Sequence, residues 1–181
     1  LSMTDAHEII ELSRSTGTPI MTGSTLEFAP EAERLQRDLA TIGPLLGFVA
    51  ANSTSDYSTH GIHGPLFIYA CLGGGVRAVA HQTPDWRQPN GVLTLEYEGR
   101  DGERPFFGCI QEIGGPIGWI KVFGASGSCE QEIDGGLHLW LPILQRMRHL
   151  FHSGQMPQPY AAILEKTAIF LAGFRSAIDR D

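Results

Sequence analysis

The spacing of hydrophobic residues changes along this chain from a helical period to an alternating one. Near the start, the spacing of the sequence places four residues on one face of a helix, Ala6, Ile9, Ile10 and Ser13. Thr4 can cap this helix and Gly17 can end it. The pattern therefore predicts a first helix between Thr4 and Gly17.

A short strand is predicted directly after this helix, at residues 19–23. Pro30 then begins a second helix, with Leu35 and Leu39 on its apolar face. A helix followed at once by a strand is typical of an alternating α/β unit, which needs parallel neighbours in a sheet. Because no strand precedes the first helix, we expect the chain to begin inside a domain, with residues 1–27 as the remnant of its last unit.

The middle of the chain contains one strand, one loop and one helix. Residues 45–51 are apolar and predict a strand, and residues 53–59 are polar and predict a loop. Residues 61–72 predict a helix, in which Pro65 is tolerable only in the first turn. The glycines at 73–75 end it.

Beyond these glycines the period of the pattern becomes two, as in a sheet with one wet face. Leu93 and Leu95, for example, flank Thr94. Strands are predicted at residues 76–82, 92–98, 105–112, 117–123 and 128–133. Asp101-Gly102 and Ser126-Gly127 are suitable hairpin turns. This part of the chain is therefore predicted to be an antiparallel meander.

Two helices close the chain. The apolar residues of the first repeat at helical spacing and are Trp140, Ile143, Leu144, Met147, Leu150 and Phe151. Gly154 ends this helix, and residues 160–178 form the last one. The sequence thus predicts an α+β fold, with a mostly antiparallel open sheet and helices packed on one face.

Composition and charge narrow the class of function. The 181 residues are 42% hydrophobic and 18% charged, as in an ordinary globular protein, and the net charge is −7. A nucleic-acid-binding protein would show a basic stripe, and the basic residues here are scattered. Arg146, Arg148 and His149 form one basic cluster, which is typical of a solvated helix face.

The cysteines and the apolar runs indicate an intracellular protein. Cys71, Cys109 and Cys129 are too widely spaced for a metal site or a disulfide framework, which fits a reducing compartment. The longest apolar run, at residues 65–72, is too short to span a membrane, and there is no signal-peptide pattern. We therefore expect a cytoplasmic protein without membrane or nucleic-acid partners.

The candidate chemistry lies at the start of the predicted helix at 61–72. Asp56, Tyr57, Thr59, His60 and His63 precede or begin that helix, where free backbone N–H groups favour anions. Histidine can exchange a proton with a substrate hydroxyl near neutral pH. Two alternatives remain open. In the first, Asp56, Ser58 and Thr59 only cap the helix while both histidines bond to backbone carbonyls. In the second, the two histidines hold a metal, although zinc needs further ligands.

A second, weaker candidate lies on a predicted strand. Trp119 and Lys121 fall on the same side of that strand and can line a sugar pocket by stacking and charge. The alternative is that this pair is half core and half solvent edge.

Five stretches of the chain resemble, in order, one family of oxidoreductases. They are HEIIELSRSTGTPIMTGSTLEFAPEAERL, HGIHGPLFIYACLGGGVRAV, GVLTLEYEGRDGERPFFGCIQE, WIKVFGASGSCEQEID and LPILQRMRHLFHSGQMPQPYAAILEKTAIFLAGFRSA. The first is similar to the last helix and strand of the nucleotide domain in the glucose–fructose oxidoreductase / inositol dehydrogenase (Gfo/Idh/MocA) family. The others are similar to the helices and sheet of its C-terminal domain, a glyceraldehyde-3-phosphate dehydrogenase-like fold.

This resemblance implies a sugar-like or polyol substrate and NAD or NADP as cofactor in a full-length parent. It also implies that this chain alone binds no cofactor. The family's Gly-rich phosphate loop is absent, and its catalytic lysine, in a Glu-Lys-Pro motif, has no counterpart in Lys121 or Lys166. The resemblance further implies a homo-oligomer formed through the open sheet face. Residues 28–181 would be the substrate-binding and oligomerisation domain.

Carried over to this sequence, His63 matches the family's active-site histidine. Thr59 stands where the family has an aspartate, and His60, Tyr57 or Asp56 is the candidate substitute for that acid. Thr25 and Glu27 correspond to an Asn/Arg pair beside the cofactor, and a glutamate there would repel an anion.

Three hypotheses follow. The first is the substrate domain of an NAD(P)-dependent oxidoreductase, with His63 in proton transfer or substrate positioning. The second is a non-catalytic binding or oligomerisation domain of the same fold, which the departures at Thr59 and Glu27 favour. The third, ranked last, is a metal-dependent hydrolase that uses His60 and His63.

Overall fold

A computed structural model of the protein describes residues 2–53, 55–99, 104–114 and 117–179. The helices within these ranges are α1 (Met3–Thr16), α2 (Pro30–Leu39), α3 (Tyr57–His60), α4 (His63–Leu72), α5 (Trp140–Ser153) and α6 (Tyr160–Asp179), and a 3₁₀ turn at Leu137–Leu139 precedes α5. The strands are β1 (Leu45–Ser53), β2 (Val76–Gln82), β3 (Val92–Tyr97), β4 (Phe106–Ile113), β5 (Ile117–Gly124) and β6 (Gly127–Asp134).

Helix α1 starts earlier than predicted and ends where predicted. Ser2, not Thr4, is the cap, because its hydroxyl accepts the backbone N–H of Asp5 while the Asp5 carboxylate accepts the backbone N–H of Ser2 at 2.7 Å. Gly17 ends the helix in the left-handed conformation, with φ at 66°. The reciprocal bonds of this capping box outweigh the single bond that Thr4 would make.

The strand predicted at residues 19–23 is wrong. The chain forms no ladder there, because no strand of the described residues runs beside it. The Thr22 carbonyl accepts a hydrogen bond from the side-chain amide of Gln158 instead. An extended segment becomes a strand only when its backbone groups find a neighbouring backbone. The division at residue 27 stays a prediction.

The strands form one open, mostly antiparallel sheet in the order β2-β3-β4-β1-β5-β6, as the α+β prediction requires. The predicted meander is wrong at one point, because β1 lies between β4 and β5 and runs parallel to β4. The β5–β6 turn is Ala125-Ser126, one residue before the predicted pair, and Gly124 pairs with Gly127 across it. The predicted Asp101-Gly102 turn lies outside the described residues.

Helices α2, α4 and α6 cover one face of this sheet, and the core lies between them. Its buried side chains include Leu35, Phe67, Ile68 and Ile169 from the helices and Phe48, Leu95, Ile110, Ile120 and Val122 from the sheet. None of the described helices combines the length and apolar content that crossing a membrane requires. Helix α5 forms where the sequence predicts it and ends at Gly154, and Leu150 is its one buried residue within the described part of the chain.

Candidate functional site

The predicted polar loop before α4 is organised around the Asp56 carboxylate. It accepts hydrogen bonds from the Thr59 backbone N–H at 2.9 Å, the Ser58 hydroxyl at 2.6 Å and the Thr59 hydroxyl at 2.5 Å. These bonds to the charged form, from Ser58 first and then Thr59, hold the pKa of Asp56 well below its usual range. Asp56 is thus an ionised cap of the short helix α3, which ends at His60.

His60 is fixed by this capping network. Its Nδ1 lies 2.7 Å from the Ser55 hydroxyl and 2.7 Å from the Thr59 hydroxyl, and both hydroxyls also contact the Asp56 carboxylate. An ionised carboxylate only accepts, so the two hydroxyls donate to Asp56. The Nδ1 of His60 is therefore the donor toward these hydroxyls, and its ring is oriented by Asp56 through Thr59.

His63 is the first residue of α4, and its ring centroid lies 5.8 Å from that of His60. The side chain is half-buried, and Nδ1 is buried without a hydrogen-bond partner among the described residues. Burial, and then the nearby charge of His60, lower the pKa of His63. At neutral pH the ring is therefore uncharged and able to accept a proton.

The start of helix α4, where His63 lies, approaches the sheet closely at strands β1 and β4. A Cβ at Gly64 would lie 3.1 Å from Ile110 on β4 and 3.2 Å from Asn52 on β1, so glycine lets α4 begin directly over the parallel pair. Pro65 falls in the first turn of α4, as predicted. The site thus lies over the C-terminal end of β1 and the middle of β4, on the helix-covered face.

Tyr57 lies beneath this site and faces the core. Its side chain is fully buried, its hydroxyl donates to the Phe170 carbonyl at 3.3 Å, and its ring stacks on that of Phe170 at 5.4 Å. Burial raises the pKa of Tyr57 well above its usual range. The structure therefore uses Tyr57 to anchor α3 to α6.

A buried polar pair next to Tyr57 was not found from the sequence. His81 Nε2 lies 3.0 Å from Glu112 Oε2, both side chains are buried, and the His81 ring centroid is 4.4 Å from that of Tyr57. This hydrogen bond passes over Gly91, the residue before β3. A Cβ at Gly91 would lie 2.7 Å from the Glu112 carboxylate. The sequence could have indicated this pair, because His81 and Glu112 are ionisable residues at positions where the alternating pattern of their strands faces the core.

Trp119 and Lys121 do not join this site. They flank Ile120, which is buried under the helices, so they point to the open face. Lys121 donates to Glu130 on β6 at 3.1 Å. The sheet lies between this pair and His63.

Thr25 and Glu27 lie in the turn before α2, and Glu27 points into the protein. Its carboxylate pairs with the Lys166 ammonium, which also contacts the Gln158 side-chain oxygen. The side chains of Lys166 and Glu27 are 3% and 9% exposed. Desolvation raises the pKa of Glu27, although Lys166 opposes this.

The described residues contain neither a glycine-rich loop between a strand and a helix nor a metal-binding cluster. Gly73 to Gly75 follow α4 and lead into β2, the reverse of the strand–loop–helix order that cradles phosphates. The Glu27 carboxylate is already paired with the Lys166 ammonium. No three His, Cys, Asp or Glu side chains in the described ranges lie close enough together to hold a metal ion.

Comparison with known proteins shows the fold. No family model and no curated protein sequence matches significantly. Among solved structures, a probable dehydrogenase from Thermotoga maritima has a TM-score of 0.76 at 13% identity, covering 99% of this chain and 68% of its own. A myo-inositol dehydrogenase from Lactobacillus casei in complex with NAD(H) and myo-inositol has 0.76 at 12%, covering 99% and 66%.

A third structure agrees with these two. The myo-inositol dehydrogenase from Corynebacterium glutamicum has a TM-score of 0.73 at 12% identity, covering 99% of this chain and 68% of its own. The chain thus spans about two thirds of the length of each, and its own sheet and helices match almost completely. This protein has the fold of the C-terminal domain of inositol dehydrogenase-like oxidoreductases, as the sequence resemblance predicted.

Proposed function

We propose that this chain is the substrate-binding domain of a cytoplasmic NAD(P)-dependent oxidoreductase that acts on a sugar, polyol or related hydroxylated molecule. The observation that carries the proposal is the position of His63. An uncharged, half-buried imidazole stands at the start of α4 in a fold shared with dehydrogenases. One such structure holds NAD(H) and myo-inositol. Free cysteines fit the reducing cytoplasm.

In this proposal each residue of the site has a distinct task. His63 accepts a proton from a substrate hydroxyl. Its lowered pKa keeps the ring unprotonated at neutral pH, and part of the ring is open to solvent. Asp56 and Thr59 hold His60 beside it, and the remaining ring nitrogen of His60, Nε2, accepts a second hydrogen bond from the substrate. Tyr57 supports α3 from below. Trp119 and Lys121 receive no substrate contact, because the sheet separates them from His63.

The cofactor must be held by another part of the protein. The nicotinamide dinucleotide supplies hydride transfer in enzymes of this fold class. Within this chain, Thr25 and Glu27 lie in the segment that leads into α2, and we propose that this segment borders the cofactor domain. Glu27 would then fix the segment through Lys166 and would not bind the cofactor itself.

Replacing His63 tests the proposal. In the protein that joins this chain to its dinucleotide-binding domain, His63→Ala is expected to lower kcat for polyol oxidation roughly 100-fold, because the general base is lost. The wild-type rate should fall as the pH drops through the lowered pKa of His63, and this acidic limb should vanish in the variant. Steady-state kinetics over a panel of polyols and pH values measures both.

Two controls accompany this experiment. His152→Ala changes an exposed histidine on α5 and should leave kcat unchanged. The chain alone, titrated with NADH and NADPH, should show no binding in the micromolar range. Undiminished activity of His63→Ala, or micromolar dinucleotide binding by the chain alone, would refute the assignment.

The open sheet face favours a second, compatible role in oligomerisation. Phe107 is 68% exposed there, and Val49 and Phe123 beside it are also exposed. Adjacent exposed apolar residues of this kind mark a protein interface. We propose that a second copy of the chain covers this face.

Phe107→Glu is expected to halve the mass of the largest assembly, because a charge at the centre of this face cannot be buried unpaired. Sedimentation velocity measures the mass. Leu12→Glu, an equivalent change at an exposed position of α1, is the matched control and should leave the mass unchanged. An unaltered mass for Phe107→Glu would contradict the role of the sheet face.

A further inference from the structure

The first helix of the chain is docked on the last one. The buried residues of α1 are Ala6, Ile10 and Ser13, and Ile10 is only 1% exposed. Ile9, which the spacing also placed on this face, is 48% exposed. The element that α1 contacts most is α6. A helix without a partner would leave such a face in water, so α1 has its partner within this chain.

The Ser13 hydroxyl joins α1 to two other parts of the chain. It donates to the Thr18 carbonyl at 2.6 Å and lies 2.8 Å from the hydroxyl of Tyr160, the first residue of α6. A serine hydroxyl has one proton, which Thr18 receives, so the Tyr160 hydroxyl donates the second bond. The Arg14 guanidinium lies 4.8 Å from the centre of the Tyr160 ring and adds a cation–π contact. The last turn of α1 is therefore fixed to the start of α6.

Two further contacts hold the segment between α1 and α2, residues 18–29, against α6. The side-chain amide of Gln158, just before α6, donates to the Thr22 carbonyl, and Lys166 pairs with Glu27. Lys166 also donates to the side-chain oxygen of Gln158, so one network contains both contacts. Gln158 and Lys166 are buried. Opening this network would leave buried polar groups without partners, so the segment is held closely to α6.

The next turn of α6 holds the candidate site. Phe170 lies four residues after Lys166, about one helical turn further along α6. Its carbonyl accepts the Tyr57 hydroxyl at 3.3 Å, and its ring stacks on the Tyr57 ring. Tyr57 begins α3, the helix that ends at His60. The segment at residues 18–29 and the candidate site are thus bound to adjacent turns of one helix.

We propose that residues 2–29 and the candidate site form one rigid body held together by α6, so that no hinge lies between them. The division predicted at residue 27 then does not separate two bodies. The inference goes beyond the proposed function and does not depend on it, since it uses only contacts within the chain. In a protein with a cofactor domain, the segment at residues 18–29 is a preformed edge, and binding to a preformed edge loses less conformational entropy.

Urea unfolding followed by tryptophan fluorescence tests this proposal in the full chain, because all three tryptophans lie outside residues 2–29. Ser13→Ala should lower the folding equilibrium constant seen by this probe about 10-fold, because Thr18 and Tyr160 lose their shared partner. The probe responds only if α1 unfolds together with the rest of the domain. An unchanged unfolding midpoint for Ser13→Ala would overturn the proposal.

A double-mutant cycle isolates the bond between the two helices. Tyr160→Phe keeps the ring beside Arg14 but removes the donor hydroxyl, and it should lower the folding equilibrium constant about 5-fold. Because Ser13→Ala removes the same bond, the double variant should lose less than the product of the two single effects. Ser15→Ala, the same substitution at an exposed position of α1, is the matched control and should stay within about 2-fold. Single effects that simply multiply would mean that α1 and α6 do not share this bond.

Backbone ¹⁵N relaxation measures the rigidity itself. Order parameters of the amides in α1 and in residues 20–28 should be about 0.85 and equal to those of β1, as in a rigid backbone. Values below about 0.6 in residues 20–28 would place a hinge there and refute the single rigid body.

Discussion

Lys166→Met is expected to lower the free energy of unfolding by about 3–5 kcal/mol at neutral pH, the cost of removing one partner from a buried ion pair. The variant keeps the length and packing of the side chain but leaves the buried Glu27 carboxylate without its cation. The Gln158 oxygen loses its donor as well. Urea denaturation followed by circular dichroism measures the loss.

A matched control and a repair variant separate charge from packing. Arg175→Met on the same helix breaks the ion pair with Asp179, but Arg175 is 79% exposed, so a change within about 0.5 kcal/mol is expected. Adding Glu27→Leu to Lys166→Met should restore most of the stability, since an apolar pair can replace a buried ionic one. Equal losses for Lys166→Met and Arg175→Met would show that the pair is not buried in solution.

The same variant should change the pH dependence of folding in a defined direction. Burial raises the folded-state pKa of Glu27 above its unfolded value of 4.5. The free energy of unfolding gained from this raised pKa is present when the pH is below the unfolded-state pKa of Glu27. It is lost as the pH rises through the folded-state pKa. Lys166 limits that loss by lowering the pKa. Lys166→Met should therefore be more destabilised at pH 8 than at pH 5.

The elements of this fold follow from local signals, whereas their arrangement does not. Alternation and turn residues located β2 at its observed bounds, and Pro30 located the start of α2. The insertion of β1 between β4 and β5 has no local signal, because a hairpin rule pairs sequential strands. The apolar face of α5 was detected correctly, but periodicity cannot say whether a face meets its own chain or another one.

In the candidate site too, local signals located some residues, whereas others depend on the tertiary fold. His63 and the capping residue Asp56 were found because they lie at a helix start, which the sequence marks. The two buried polar pairs were not found, because Glu27 and Lys166 are 139 residues apart and His81 and Glu112 are 31 apart. Pairs of this kind depend on the tertiary fold alone, so only the structure shows that Glu27 faces inward.

The His81–Glu112 pair gives the second large effect expected on stability. Glu112→Leu should lower the free energy of unfolding by about 3 kcal/mol, because the buried imidazole then loses its acceptor. His81 Nδ1 already has no partner among the described residues, so neither ring nitrogen would be satisfied. Glu132→Leu, the same substitution at an exposed position of β6, is the control and should stay within about 0.5 kcal/mol.

The consequence should reach the candidate site through Tyr57. Its ring lies against His81, and its backbone carbonyl accepts the Gly61 N–H at 3.0 Å within α3. When His81 loses Glu112, this support for α3 loosens. Hydrogen exchange at the amides of His60 and Gly61 should therefore accelerate in Glu112→Leu more than the global loss of stability explains, and Glu132→Leu should leave it unchanged. Exchange that follows global unfolding alone would mean that the pair stabilises the sheet without positioning the histidines.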